Sequence, residues 1–142
     1  MDKMTPEEYK KFLLDTPRTG KLAVVRVDGR PHVSPIWFAM DGDDIMFTSW
    51  HETVKVASIR RDPRVSLCVD YDQPPFHFVI VEGEAEILDP TPEEKIKWTT
   101  RIAGRYMGDE LAESYGKRNG VEGELLLRLK PTKVIAIKNM SD

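Results

Sequence analysis

The sequence predicts a mainly β domain with peripheral helices, a small antiparallel barrel rather than a doubly wound sheet. Three observations predict it. Six or more short runs read as strands. Asp-Gly pairs at Asp28-Gly29 and Asp41-Gly42 separate the first runs, as in hairpins. Helical patterns are short and do not alternate with strands as parallel crossovers require.

Thr5-Pro6-Glu7-Glu8 starts a helix, with Thr as N-cap, Pro in the first turn and acids against the dipole. Tyr9, Phe12 and Leu13 share one face, and the helix ends near Asp15, before Thr16-Pro17. Strands are expected at Lys21–Val27, Pro31–Met40 and Asp44–Thr48. A helix over Thr53–Arg61 follows, with Val54, Ala57 and Ser58 towards the core and Lys55, Arg60 and Arg61 outside; Asp62-Pro63 stops it. Val65–Asp70 is the next strand. Phe76–Leu88 is long enough to curve, and Gly83 in its middle signals a bulge or barrel corner. Asp89-Pro-Thr-Pro-Glu-Glu opens a helix to about Met107, with Ile96, Thr99, Thr100 and Ala103 on one face. Gly108 breaks it before another helix over Asp109–Arg118, ended by Asn119-Gly120. Glu124–Lys130 and Lys133–Lys138 read as two last strands around Pro131-Thr132.

The length of 142 residues makes a single domain spanning 1–142. A net charge of −3 gives no bulk electrostatic case for nucleic acid. No apolar run approaches the roughly 18 residues of a membrane span. The charged N-terminus argues against a signal peptide, and the single Cys68 forbids an internal disulfide and a cysteine-rich metal site; a cytoplasmic setting is expected. Cys68 reads as a small apolar strand residue. His32, His51 and His77 lack the spacing of a helical ligand pair, so no metal is expected. No Walker or Rossmann glycine loop and no Gly-x-Ser-x-Gly elbow is present.

The chemistry concentrates in Phe47-Thr48-Ser49-Trp50-His51-Glu52-Thr53-Val54-Lys55, where a strand gives way to a helix. Hydroxyls, backbone N–H groups and one lysine gathered at a helix start suit a phosphate; the plain alternative for Lys55 is a solvated surface lysine. Trp37, in Ser34-Pro35-Ile36-Trp37-Phe38, is either core packing or a wall for a planar ring. Pro35 lacks an N–H, which places its strand at an edge or a bulge. Arg60, Arg61 and Arg64 are either a solvated helix end or a contact for an anionic cofactor tail.

These residues resemble a known family. Lys21–Phe38 looks like the first hairpin of the pyridoxamine 5′-phosphate oxidase-like superfamily. Ile45–Ser49, Lys55, Arg60-Arg61-Asp62-Pro63-Arg64-Val65-Ser66-Leu67 and Val81–Glu86 continue the pattern in order. The resemblance implies a split β-barrel with Greek-key-like antiparallel order, forming a homodimer with two flavin-type cofactors in grooves at the subunit interface. It also implies that Thr48, Ser49 and Lys55 hold the phosphate, with Phe47 opening that run, and that Ser34, Pro35, Ile36 and Trp37 lie along the ring system. Two features depart from true pyridoxamine phosphate oxidases. Phe78 stands where they carry glutamine, and the chain ends Ile-Lys-Asn-Met-Ser-Asp rather than in an Arg-x-His element. The compact Asp-Gly-Arg-Pro-His and Pro-Ile-Trp-Phe segments look more like the deazaflavin-dependent reductases, which use coenzyme F-420, a hydride carrier with an acidic tail that Arg60 and Arg61 would meet. FMN is the competing cofactor, since both share a ribityl phosphate and a tricyclic ring. The expected activity is hydride transfer to a small unsaturated substrate, with no side chain marked as proton donor. The rivals are an FMN-dependent oxidoreductase, a flavin carrier or sensor without turnover, and a dimeric scaffold with no cofactor. Dimerisation also has a direct physical motive, because aromatic residues such as Trp50 and Phe76 look exposed.

Overall fold

The computed structural model describes residues 1–142. Its elements are β1 (Asp2–Lys3), α1 (Pro6–Asp15), β2 (Gly20–Val25), β3 (Pro31–Ile36), β4 (Ala39–Asp41), β5 (Asp44–Trp50), α2 (Val54–Arg61), β6 (Arg64–Asp70), β7 (Phe78–Ile87), α3 (Pro92–Met107), α4 (Asp109–Asn119) and β8 (Glu124–Lys138). The strands form one antiparallel sheet in the order β3-β2-β6-β7-β8-β5-β4, and β1 adds to β8.

The two ends of that sheet, β3 and β4, are consecutive in the chain and joined only by Trp37 and Phe38. Three Cα steps span at most about 11 Å. The sheet must therefore curl until its edges nearly meet, leaving a seam where no strand pairs with strand. This is a split barrel, mainly β with helices outside. Phe38, Phe47, Leu22, Leu67, Leu127 and Leu129 fill its interior and are all fully buried.

Pro31–Met40 is not one strand: it breaks at Trp37-Phe38, because the seam requires the chain to leave one edge and enter the other. Pro35 lies on the edge strand β3, where its missing N–H leaves no ladder bond unmade on the open side. The last two expected strands are one, β8, which runs through Pro131-Thr132. Glu82 pairs with Lys133 and Gly83 with Pro131, so Thr132 is the extra residue of a bulge. Gly83 is what allows the close approach: a Cβ there would lie 2.1 Å from the Lys130 carbonyl oxygen.

The core face of α2 differs from the expected one. Ser58 is buried as expected, but Val56 and Ile59 complete the core face, whereas Val54 and Ala57 face out and Lys55 is half-buried. Thr53 caps the helix by accepting from the Val56 N–H, and this phase turns the i, i+3 pair Val56/Ile59 onto the barrel. The α1 N-terminus carries the expected cap in full. Thr5 Oγ1 accepts from Glu8 N, and Glu8 Oε1 accepts from Thr5 N. Glu8 also accepts from Lys138 Nζ at 2.5 Å, fastening α1 to β8.

Two predictions follow from this packing. Gly83→Ala should lower stability by about 1–3 kcal/mol, read as a fall in the urea midpoint, because backbone rather than a flexible side chain must move. The hydrogen bonds to Lys138 and Thr5 hold the Glu8 carboxyl at about 2, below its usual 4.5. A folded value below the unfolded one stabilises fully above pH 4.5, and that contribution is lost as pH falls towards 2. Between those limits the parent should lose stability more steeply than Glu8→Gln; parallel urea midpoints at stepped pH measure the difference.

Candidate functional site

A cavity of about 280 Å³ opens beside the seam. Pro35, Ile36 and Trp37 line one side, Thr48 and Glu124 the barrel floor, Lys55 the α2 end, and Thr99, Ile102 and Asn119 the helical cover.

Trp37 is held from α3. Its ring stacks on Tyr106 with centroids 5.0 Å apart and planes 3° from parallel. Tyr106 is itself fixed, accepting from Phe38 N at 3.2 Å and donating to the Arg18 carbonyl at 2.8 Å. Arg105 donates to the carbonyls of Phe38 and Leu13. The backbone groups that the seam leaves without a strand partner are thus satisfied by two consecutive α3 side chains.

The cover depends on close contact between α3 and α4. Thr99 Oγ1 donates to the Gly116 carbonyl at 2.7 Å, and a Cβ on Gly116 would meet Thr100 Oγ1 at 2.0 Å. Only glycine permits this approach, which brings Asn119 over the cavity beside Thr99.

The turn from β5 to α2 is braced by hydroxyls. Ser49 Oγ donates to the Trp50 carbonyl at 3.2 Å and shares a 3.0 Å hydrogen bond with Thr53 Oγ1. This network sets Lys55 in the first turn of α2. Lys55 forms no ion pair, and burial depresses its pKa while Glu124 raises it. Glu124 accepts from Thr48 Oγ1 at 3.0 Å; burial pushes its carboxyl up, against the pull of Thr48, Lys55 and Lys95.

The expected site residues divide. Pro35, Ile36, Trp37, Thr48 and Lys55 converge on the cavity. Ser34 Oγ is buried without a hydrogen-bond partner, on the same face of β3 as Ile36. Ser49 does not line the cavity; it is 4% exposed and braces the α2 cap. The Phe47 side chain is in the core, since alternation along β5 turns it inward. Arg61 donates to the Val25 and Arg26 carbonyls at 2.6 and 2.7 Å, and Arg64 pairs with Asp62. Arg60 is exposed, and neither it nor Arg61 lines the cavity.

Glu124, Thr99, Ile102 and Asn119 were not expected at the site. The burial of Thr99 was visible in the α3 periodicity, but the pairing of Trp50 with Glu124 joins segments far apart in sequence. A wider concavity of about 500 Å³ lies elsewhere, between α1 and the β8 bulge, with Tyr9, Asp43, Asp44 and Pro131 on its walls. It lacks a basic group positioned at a helix start.

Comparison with known proteins places this geometry. A structure of a conserved hypothetical protein from Mycobacterium tuberculosis is 26% identical, with a TM-score of 0.81 over 97% of this chain and 88% of that one. A structure described as an F-420 reductase is 29% identical, with a TM-score of 0.65 over 87% of this chain and 94% of that one. An FAD-binding protein from Mesorhizobium loti shares the fold at 22% identity, with a TM-score of 0.68 over 96% of this chain and 97% of that one. The family model for pyridoxamine 5′-phosphate oxidase matches residues 5–138. With a split barrel, a seam and nearly the whole chain matched, the protein belongs to the pyridoxamine 5′-phosphate oxidase family.

Proposed function

We propose that this protein is a homodimeric oxidoreductase that binds a flavin-type cofactor, coenzyme F-420 in preference to FMN, and reduces a small unsaturated substrate. The observation that carries this reading is the convergence of Trp37, Thr48 and Lys55 on one cavity at the barrel seam. An aromatic wall, a hydroxyl and a lysine without an ion-pair partner fit a planar ring linked to a phosphate. The orphan Ser34 Oγ supplies a further polar group near the same strand end. The F-420 reductase at 29% identity supports the choice of cofactor.

When bound, the cofactor supplies two-electron hydride chemistry. The chain supplies position. Lys55 gives a charge-assisted contact to the phosphate, Thr48 a hydroxyl beside it, and Trp37, clamped by Tyr106, a rigid surface for the ring. Thr99, Ile102 and Asn119 exclude water from one side. Phe78, standing where pyridoxamine phosphate oxidases carry glutamine, favours a reductase over vitamin B6 oxidation.

A second copy would complete the site. The cavity is open on one side, β3 is an edge strand, and Trp50 and Val54 remain 45% and 48% exposed where β5 meets α2. Apolar surface left beside a cavity mouth favours a partner subunit. No helix is long and apolar enough to cross a membrane.

Fluorescence-quench titration of the apoprotein should give tighter binding of F-420 than of FMN; the reverse order would move the protein to the FMN-dependent side, and binding of neither would leave a scaffold. Lys55→Ala should weaken F-420 binding by about 1.5–3 kcal/mol, roughly 10- to 150-fold, with unchanged affinity as the contradicting result. Light scattering should find a dimer at micromolar concentrations, and a monomer would contradict a site shared between copies.

A further inference from the structure

Glu124 has the wrong sign for a site that takes a phosphate. Its carboxyl shares the cavity with Lys55, and Thr48 Oγ1 holds it there with a 3.0 Å hydrogen bond. Its backbone is equally fixed: Glu124 N donates to the Val121 carbonyl at 3.1 Å, and the residue pairs with Trp50 across the sheet. The acid therefore stays beside the lysine instead of turning to solvent. The two do not close an ion pair, so neither charge is cancelled by contact. The next cation near Glu124, Lys95 on α3, is engaged with the Val121 carbonyl at 3.1 Å. The phosphate end of the cavity thus presents one lysine and one carboxyl group.

That balance distinguishes between kinds of phosphate. A phosphomonoester carries nearly two charges at neutral pH, whereas a phosphodiester carries one. Attraction to Lys55 and repulsion from Glu124 both grow with ligand charge, but the second charge also adds a desolvation cost in a half-buried site. We infer that Glu124 is a specificity-determining residue that makes this cavity select a singly charged phosphodiester over a doubly charged phosphomonoester. This rests on the flavin-type reading above and gives it a physical basis. A tail carried on the ribityl phosphate makes that phosphate a diester, as in F-420, while FMN ends in a monoester.

The test uses FMN and its methyl phosphodiester, which share ring and ribityl chain and differ by one charge. Both are titrated at pH 8 by flavin-fluorescence quenching against the parent, Glu124→Gln and Glu124→Asp. The parent should bind the methyl diester about tenfold or more tighter than FMN. Glu124→Gln, which retains an acceptor for Thr48, should bring the two within about twofold through tighter FMN binding. Glu124→Asp, which retains the charge, should keep the preference. Equal or tighter binding of FMN by the parent overturns the inference without any variant, as does an unchanged preference in Glu124→Gln. In both cases flavin binding itself survives. Binding of neither flavin by the parent overturns the inference, and failure of F-420 titrated in parallel overturns the cofactor reading with it.

Discussion

The satisfaction of one peptide unit at the seam organises this molecule. Phe38 lies between the two edge strands, with its ring in the core and its backbone outside any ladder. Leaving a buried N–H or carbonyl without a partner costs about 1–3 kcal/mol. Tyr106 answers the N–H and Arg105 the carbonyl. The same two residues bind the Arg18 and Leu13 carbonyls, so α3 joins the seam to the end of α1 and the segment after it. A barrel closed by continuous strand pairing would have no such gap and no cavity beside it.

From this constraint the site follows. Once α3 is anchored at its C-terminal end, its middle turn presents Thr99 and Ile102 to the cavity, and Gly116 lets α4 lie close enough to add Asn119. Stacking on Tyr106 fixes the plane of Trp37. On the opposite side, Ser49 and Thr53 hold the strand-to-helix turn through side-chain and carbonyl bonds, which sets where Lys55 emerges. The groups proposed to contact the cofactor are therefore placed by neighbours that do not touch it. The electrostatics are similarly local: Lys55 and Glu124 perturb each other across the cavity while burial opposes both charges.

Much of this was legible from residue order, and the failures have physical causes. Asp28-Gly29 and Asp41-Gly42 mark real turns, since Gly29 and Gly42 both adopt positive φ, and Gly83 marks a real bulge. Thr5 caps α1 as expected, and the segment from Asp89 does open α3, with Thr91 as its cap; Thr53, expected as the first residue of α2, is that helix's cap instead. The break at Trp37-Phe38 was not readable, because Pro31–Met40 alternates well enough to pass as one strand and only barrel closure interrupts it. Pro131-Thr132 gave the opposite error: a local turn signal was absorbed as a bulge because pairing continues on both sides. At the site, residues close in sequence to the β5–α2 turn were found, but Glu124 was not. Nothing local distinguishes it from other charged residues that open strands; only register with β5 brings it to Thr48. Arg61 looked free for an anion, yet backbone carbonyls of β2 and the residue after it occupy its guanidinium.

The central claim is that the seam cavity, rather than the wider concavity near α1, receives the cofactor. Hydrogen exchange of the full chain with and without saturating F-420 tests it most directly. The account predicts new protection over 35–39, 54–57 and 119–125, on the edge strand, the α2 start and the α4–β8 turn. Protection confined to the walls around Tyr9, Asp43 and Pro131, or no protection at saturating F-420, would contradict it.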